Sequence, residues 1–215
     1  MKEYDIIVIG SGSGMLVVEE ALMQGLRVAL VDKGPLGGTC LNVGCIPSKI
    51  LIAAADRIVE IQEAEKLGIE AEIKGVDFNS IMERMRRIVQ EGQDPMRRGI
   101  KSARNLDFYE TQGHFVGDYA MEVENERIKG RKVFIVAGAR PLIPPVKGLD
   151  KVDYLTNETV LKLDRKPKSL VIVGGGYIGA EYGHFFAAMG SEVTILQRNI
   201  RLVPEEEPEI SELLK

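Results

Sequence analysis

The feature that most constrains the fold is a unit that occurs twice, in which a short apolar strand leads through a glycine-rich turn into a helix and a second strand. In the first copy, residues 5–9 lead into the glycines of 10–14, a helix over 15–23 follows, and a strand covers 27–31. A short apolar run that ends in glycines is typical of a buried parallel strand entering a tight turn. The pattern predicts a βαβ unit of a nucleotide-binding α/β fold.

The second copy begins about 160 residues later. Its predicted strand covers 169–173, its turn 174–179, its helix 180–189 and its second strand 192–196. The last residues then begin another helical pattern near 208, whereas a doubly wound half needs at least one more strand. We therefore expect this chain to be truncated at its C-terminus.

Glycine-rich turns of this kind bind diphosphates, since the backbone can approach the ligand and the helix N-terminus offers free N–H groups and partial positive charge. The candidates for these contacts are Gly10, Gly12 and Gly14 in the first copy and Gly174, Gly176 and Gly179 in the second. In the first copy, Met15 occupies the position of the third glycine of such motifs. That glycine usually serves helix–strand packing, so we expect local repacking there.

The residues that follow the second strand differ in charge between the two copies. Asp32 lies 22 positions after Gly10, close to the spacing at which an acidic residue binds a ribose hydroxyl. The second copy has Gln197 and Arg198 at that place, with Arg201 nearby. An arginine there accommodates a 2′-phosphate, which favours NADPH over NADH, although surface arginines are an equally good explanation.

Both cysteines of the chain lie in the stretch 37–49, where four residues separate Cys40 from Cys45. Such a pair can form a small-loop disulfide and open it again, and cytosolic thiol pairs are more often catalytic or metal-binding than structural. We expect no metal site, because His114 and His184 are far away in sequence and two thiolates leave a zinc site half-built. A helix is expected from Lys49 to about 66, with Pro47 in its first turn, so Cys45 would lie just before a helix N-terminus that stabilises a thiolate.

The remaining segments suggest a domain boundary. Residues 78–104 are expected to be mostly helical with an interruption near Gly92 and Pro95, and short strands are expected at 107–109, 113–116, 120–123 and 132–136. Proline and glycine then cluster up to Gly148. We therefore expect one domain over 1–148 and the incomplete start of a second over 149–215.

Charge and hydropathy limit the partners. The formal net charge of −4 argues against a nucleic-acid surface. No apolar run approaches the length of about 18 residues that a membrane span needs, and the first strand begins too early for a signal peptide. We therefore expect a cytoplasmic protein.

With these residues in view, the chain resembles the flavin-dependent pyridine nucleotide–disulfide oxidoreductases, and among them dihydrolipoamide dehydrogenase and its mercuric-reductase-like relatives. The resemblance covers the whole chain and is most specific in the redox stretch Gly38-Thr39-Cys40-Leu41-Asn42-Val43-Gly44-Cys45-Ile46-Pro47-Ser48-Lys49. It implies a Rossmann-like FAD-binding domain, with a parallel sheet and a small antiparallel β-meander, followed by the first βαβ unit of a Rossmann-like NAD(P)-binding domain.

The resemblance also implies roles for individual residues. Cys45 would contact the flavin as a charge-transfer thiolate, Cys40 would exchange with the substrate, Lys49 would form a buried pair with Glu181 near the reactive flavin nitrogen, and Tyr177 would cover the nicotinamide pocket. The FAD site would comprise Gly10, Gly12, Gly14, Asp32, Lys33, Gly38, Thr39, Lys49, Gly113, Ala137 and Gly138. The nicotinamide cofactor would meet Gly174, Gly176, Gly179, Gln197 and Arg198.

The family's acid–base pair, a histidine and a glutamate from a C-terminal dimerisation domain, has no counterpart in these residues, and His114 and His184 are expected to be structural. Three functions stay open. The first is a dihydrolipoamide dehydrogenase-like enzyme, homodimeric in its full-length form, that acts on a small-molecule or lipoyl-domain disulfide. The second is an NADPH-dependent reductase of mercuric ion or another disulfide, and the third is a non-catalytic FAD-binding fragment or assembly subunit.

Overall fold

A computed structural model of the protein describes residues 1–214. The chain forms two compact units. The first comprises Met1–Ile46 and Ile88–Asp153, and the second comprises Pro47–Arg87 and the chain from Tyr154 onward. The division at residue 148 that the sequence suggests stays a prediction.

The first unit is built on a six-stranded sheet. In chain order its strands are β1 (Lys2–Ile9), β2 (Val28–Val31), β3 (Leu106–Tyr109), β4 (His114–Gly117), β5 (Ala120–Val123) and β6 (Glu126–Ile135). They lie in the order β3-β2-β1-β6-β5-β4, with parallel pairing from β3 to β6 and antiparallel pairing from β6 to β4. This sheet confirms the predicted α/β class with a parallel sheet and an antiparallel meander.

The two faces of the sheet carry separate cores, because alternate side chains of a strand point to opposite faces. On one face, Ile6 and Val8 of β1 pack with Val18 and Ala21 of helix α1 (Gly14–Met23). On the other face, Ile7 of β1 and Ala29 and Val31 of β2 pack against the meander, in a cluster that also contains Tyr4, Tyr109, Met121, Val123 and Ile128. Strands β1 and β2 are therefore buried on both sides, which explains their nearly continuous apolar sequences.

The second unit contains the repeated βαβ motif. Strand β7 (Ser169–Val173), helix α5 (Tyr177–Ala188) and strand β8 (Glu192–Leu196) follow one another, and the two strands pair in parallel. Phe185 and Phe186 of α5 lie in edge-to-face contact, with ring centroids 5.1 Å apart, and Phe78 packs against both. Short 3₁₀ segments at Ala64–Leu67 and Val160–Lys162 and helix α6 (Pro208–Leu213) complete this unit, while a third 3₁₀ segment, Leu149–Lys151, belongs to the first.

The helices around the redox stretch and after the second glycine-rich turn differ from the sequence predictions. The redox stretch forms a helix of its own, α2 (Gly38–Val43), and Cys45 is the first residue of α3 (Cys45–Gln62), so the expected start at Lys49 was wrong. Gly44 separates the two helices with φ −131° and ψ −113°. Helix α5 begins at Tyr177, three residues before the expected start.

Helix α4 (Phe78–Ser102) runs without the interruption expected near Gly92 and Pro95. Gly92 has a packing reason, because a Cβ there would lie 2.8 Å from Cδ1 of Leu41. Pro95 lacks the N–H that would bond the preceding turn, yet the helix continues through it. The glycine and proline in this stretch predicted a break in the helix. Gly92 instead allows α4 to pack closely against Leu41 of α2.

One described helical stretch, 38–62, is long and apolar enough to cross a membrane, with a mean hydropathy of 1.4 over its best window. The expectation that no segment approaches a membrane span is therefore wrong. The mean hydropathy of a window stays high even where a few polar residues interrupt the apolar run. A single such helix is weak evidence for a membrane span, since core helices of soluble proteins meet the same criterion.

Candidate active site

The first glycine-rich turn leaves the carboxyl end of β1 and passes close to two other backbone segments. Gly10 has φ +108°, and a Cβ there would collide with the carbonyl oxygen of Val136, just after β6. Gly38 has φ +61°, and its Cβ would lie 2.6 Å from Cα of Gly12. Three backbone segments therefore meet where the parallel strands end, which is where open α/β sheets bind ligands.

Gly14 is the first residue of α1, and it allows the helix to pack closely on the sheet. A Cβ at Gly14 would lie 2.7 Å from Cγ2 of Val136 and 2.9 Å from Cγ1 of Val8. Met15, which occupies the usual place of the packing glycine, is partly buried against the α1 core instead. Gly14, one residue before the usual position, therefore provides the close contact between helix and sheet. This shift is the expected local repacking.

Asp32 follows β2 and joins two loops through its carboxylate. Its Oδ2 accepts a hydrogen bond from the N–H of Ser11 at 2.6 Å, and its Oδ1 accepts one from the N–H of Gly34 at 2.9 Å. The buried Ser11 hydroxyl in turn accepts the N–H of Gly37 at 3.2 Å. The acidic residue therefore fixes the glycine-rich turn and the entry to the redox stretch, and each carboxylate oxygen keeps a lone pair for a ligand.

The other candidate FAD residues occupy mixed surroundings. Lys33 is exposed and donates to Oε1 of Gln112 at 3.4 Å. Gly113 is required by packing, since a Cβ would lie 2.7 Å from Cε of Met121. Ala137 and Gly138 follow β6 beside the glycine-rich turn, and a Cβ on Gly138 (φ +73°) would lie 4.0 Å from Oγ1 of Thr39. Thr39 and Gly138 therefore lie near each other, whereas Gly113 faces the core.

The two thiols meet between α2 and α3. Both cysteines are exposed and reduced, and their thiols are within hydrogen-bonding contact. That contact raises the pKa of the Cys40 thiol above its usual range and burial adds to the effect, while the N–H groups of Cys45 and Ile46 act in the opposite direction. The first N–H groups of α3 therefore reach the sulfur of Cys40, although the sequence associated this helix N-terminus with Cys45.

Asn42 and Gln93 are two residues of this region that sequence reasoning did not assign. The Asn42 amide donates to the carbonyls of Leu36 at 2.9 Å and Gly38 at 2.8 Å, with a longer contact to Pro35 at 3.3 Å. Its Oδ1 accepts a hydrogen bond from Nε2 of Gln93 on α4 at 2.7 Å. The position of Asn42 between the cysteines could have indicated a structural role, but no sequence pattern indicated Gln93.

Lys49 on α3 and Glu181 on α5 form the expected ion pair within the second unit. The lysine side chain is 61% exposed and the glutamate 26% exposed, so the expectation of a buried pair was wrong. The same two helices carry a second pair, in which His184 contacts Oδ1 of Asp56 through Nε2 at 2.9 Å. His184 thus has an interhelical partner, in keeping with a structural role.

The second glycine-rich turn leads from β7 into α5. Gly174 has φ +113°, and a Cβ at Gly179 would collide with the carbonyl oxygen of Gly174. Gly176 faces open space, since no described atom lies within 4 Å of its Cβ position. Tyr177, the first residue of α5, is 59% exposed. The middle glycine therefore leaves the backbone accessible to a ligand, while Gly179 serves packing.

The loop after β8 carries the residues proposed to select the cofactor. Nε2 of Gln197 donates to the carbonyl oxygen of Arg201 at 3.3 Å, and its Oε1 accepts the N–H of Arg198 at 3.0 Å. Arg201 also faces Glu212 at 3.8 Å. Arg198 forms no ion pair with any residue that the structure describes. No cluster of three or more metal-ligating side chains occurs within residues 1–214.

Comparisons with known proteins agree with this arrangement. Residues 4–215 match the family described as pyridine nucleotide-disulphide oxidoreductase. The chain is 36% identical over 210 residues to a mercuric reductase of Lysinibacillus sphaericus, covering 97% of this chain and 38% of that protein. It is 38% identical over 208 residues to a mycothione reductase of Mycobacterium tuberculosis, covering 92% and 44%. It is 39% identical over 201 residues to a dihydrolipoyl dehydrogenase of Staphylococcus aureus, covering 91% and 42%.

A solved structure is also similar. The HOCl-induced flavoprotein disulfide reductase RclA from Escherichia coli, determined as a Cu(II) complex, superposes with a TM-score of 0.83 at 30% identity over 97% of this chain and 45% of that one. The chain spans about two-fifths of the length of the curated relatives it matches. The match over residues 4–215 and the shared fold show that the chain belongs to the pyridine nucleotide–disulfide oxidoreductase family, whose members combine FAD, a pyridine nucleotide and a disulfide redox centre.

Proposed function

We propose that this protein is an FAD-dependent dithiol/disulfide oxidoreductase in which Cys40 and Cys45 form the redox centre. The observation that carries the proposal is the contact between the two thiols, at the junction of α2 and α3, within the unit that holds the glycine-rich turn. Oxidation of the pair removes two electrons and two protons and forms one Sγ–Sγ bond, and reduction reverses these changes.

The first unit fits FAD on its own geometry. The Gly12 and Gly38 backbones pass close to each other beside the start of α1, and no side chain caps the N-terminus of that helix among the described residues, so its N–H groups are available to a diphosphate. Asp32 is fixed where an acidic residue can accept a ribose hydroxyl. When bound, FAD supplies an acceptor of two electrons that can also return them. The chain's part is to hold the diphosphate on backbone N–H groups and to keep the dithiol in place.

We further propose that Cys45 is the thiol beside the flavin and Cys40 the thiol that exchanges with the substrate. Both cysteines are exposed, so accessibility permits exchange at Cys40 without distinguishing it from Cys45. The N–H groups of Cys45 and Ile46 favour negative charge on that sulfur, against the larger opposing effect of the Cys45 thiol contact on its pKa. The assignments of Lys49 and Glu181 to the flavin and of Tyr177 to the nicotinamide stay predictions.

For the pyridine nucleotide we propose NADPH. The observation in its favour is that Gln197, with a side chain bound to its own loop, directly follows β8, and that Arg198 has no acidic partner in the described structure. Replacing Arg198 by alanine should raise KM for NADPH about 10- to 100-fold, the range for one charge-assisted contact, and leave KM for NADH unchanged. Equal effects on both nucleotides would refute the assignment.

As substrate we propose the dithiol of dihydrolipoamide, either as a small molecule or on a lipoyl domain. Leu41 and Ile46 in the redox stretch favour this reading, and the relatives include a dihydrolipoyl dehydrogenase. The second candidate is NADPH-driven reduction of mercuric ion or another disulfide, which Gln197, Arg198 and the similarity to mercuric reductases favour. Steady-state rates with dihydrolipoamide, mercuric ion and mycothione, each with NAD⁺/NADH and NADP⁺/NADPH, would separate the two.

The complete enzyme is proposed to be a homodimer and to be cytoplasmic.

The experiment for the redox centre is anaerobic reduction of the FAD-containing protein. We expect a long-wavelength absorbance from a thiolate beside the flavin that disappears in Cys45→Ser and persists in Cys40→Ser. A Cys45→Ser protein that keeps the band would overturn the assignment, and a colourless native protein would defeat the enzyme proposal for this chain.

A further inference from the structure

Gln93 on α4 reaches the redox helix although it lies about fifty residues away in sequence. Its Nε2 donates to Oδ1 of Asn42 at 2.7 Å, and both side chains are partly buried. The neighbouring Gly92 admits Leu41, since a Cβ at Gly92 would lie 2.8 Å from Cδ1 of that leucine. Two consecutive residues of α4 thus meet two consecutive residues of α2.

The hydrogen bond from Gln93 supports one orientation of the Asn42 amide. Because Oδ1 of Asn42 accepts from Gln93, its Nδ2 group is turned towards the backbone carbonyls of Leu36 and Gly38. An amide turned by half a rotation would place its oxygen against these carbonyl oxygens, which is unfavourable. Gln93 and these carbonyls therefore favour the same orientation, in which Asn42 ties the turn before α2 to α2 itself.

The consequence reaches Cys40, which lies two residues before Asn42 on the same short helix. We propose that Gln93 is a positioning residue that, through Asn42, holds Cys40 against Cys45 and so favours the disulfide over the dithiol. Closing a disulfide costs conformational freedom, and a brace that already holds the two thiols in contact lowers that cost. The proposal rests on the proposed function, since it assumes that these two cysteines form the redox pair.

The test measures the thiol–disulfide equilibrium of the purified chain, which does not require flavin turnover. In the exchange, reduced dithiothreitol gives two electrons and two protons to the Cys40–Cys45 disulfide and becomes its own cyclic disulfide. The chain is equilibrated anaerobically in buffers of reduced and oxidised dithiothreitol, its thiols are trapped by alkylation, and both forms are counted by mass spectrometry.

Two variants change the brace in different ways. Gln93→Met keeps the side-chain size and removes the donor, and Gln93→Glu places a carboxylate against Oδ1 of Asn42. Gln90→Met and Gln90→Glu are the matched controls, because Gln90 is exposed on the same helix. We expect the disulfide-to-dithiol ratio to fall about three- to tenfold in the Gln93 variants, the range for one partly buried hydrogen bond, and more in Gln93→Glu than in Gln93→Met. A tenfold fall corresponds to about 30 mV.

Far-UV circular dichroism and urea unfolding accompany each measurement. Folded Gln93 variants with the wild-type equilibrium would overturn the proposal, and so would loss of the fold in both, because Gln93 would then be a residue of general stability. Equal shifts in the Gln90 controls would overturn it as well. If the wild-type pair itself forms no disulfide in any buffer, the proposed function fails, and that outcome is distinct from an unaltered equilibrium in the variants.

Discussion

Replacing Gly38 by alanine should damage the site through two separable effects. Gly38 has φ +61°, a region that costs an L-residue about 1–2 kcal/mol. The new Cβ would also lie 2.6 Å from Cα of Gly12, a backbone atom that cannot rotate away. Relieving that overlap requires one loop to move, and overpacking of this kind costs about 1–3 kcal/mol. We therefore expect a total loss of about 2–5 kcal/mol in the free energy of unfolding.

Gly25→Ala is a control for the backbone effect alone. Gly25 has φ +74°, and no described atom lies within 4 Å of its Cβ position. This variant should lose only the conformational cost of about 1–2 kcal/mol. Urea unfolding gives both free energies, and flavin fluorescence gives the Kd for FAD, which should rise at least about tenfold in Gly38→Ala and stay unchanged in Gly25→Ala. Equal stability losses and equal FAD affinities in the two variants would refute the reasoning about the Gly12–Gly38 crossing.

Three further perturbations follow from the contacts of the site. Asp32→Asn should lose about 2 kcal/mol of unfolding free energy, because an amide can replace only one of the two accepted backbone N–H bonds; an unchanged urea midpoint would contradict this. Glu181→Gln should change stability by less than about 1 kcal/mol, because its partner Lys49 is mostly exposed, and a loss of several kcal/mol would show that the pair supports the fold. Burial raises the pKa of Tyr182 to about 12, with the charge of Glu181 adding to the shift; stability from this group is therefore complete below pH 10 and falls as the pH rises towards 12, by at most about 3 kcal/mol. Tyr182→Phe should lack this part of the alkaline loss, and identical pH profiles of unfolding would contradict the assignment.

The strand–turn–helix units were predictable because their signals are local. Apolar runs followed by glycines identified the parallel strands, and the six-stranded sheet confirms the fold class derived from them. The glycines could be named as a group, but their separate tasks could not. Gly12 and Gly38 leave room for each other's backbone, whereas Gly14 and Gly113 make room for neighbouring side chains. That difference depends on residues distant in sequence, which a local pattern does not contain.

The helix boundaries around the cysteines were harder to predict for a related reason. The stretch with Gly37, Gly38 and Gly44 reads as a loop on propensity, since glycine disfavours helices. Asn42 bonds the carbonyls that precede α2, and Leu41 packs against Gly92, so tertiary contacts stabilise a helix that local preference does not. The same contacts explain why Gly92 does not interrupt α4.

The pairing of Lys49 with Glu181 came from the family resemblance rather than from spacing. Its exposure could not be read from the sequence, because it depends on what covers the ends of two long side chains. The hydrogen bond between Gln93 and Asn42 was equally inaccessible, since about fifty residues separate its partners. Sequence patterns therefore supplied the candidate groups of the site, and the fold added contacts between residues that are distant in sequence.

The central claim is that Cys40 and Cys45 form a redox centre that exchanges electrons with bound FAD. Anaerobic titration of the FAD-containing protein with dithionite, followed by absorbance, counts the electrons taken up for each flavin. A flavin and a disulfide each accept two electrons, so the oxidised wild-type protein should take up four and the Cys45→Ser variant two. Uptake of two electrons by the oxidised wild-type protein, equal to that of Cys45→Ser, would contradict the account.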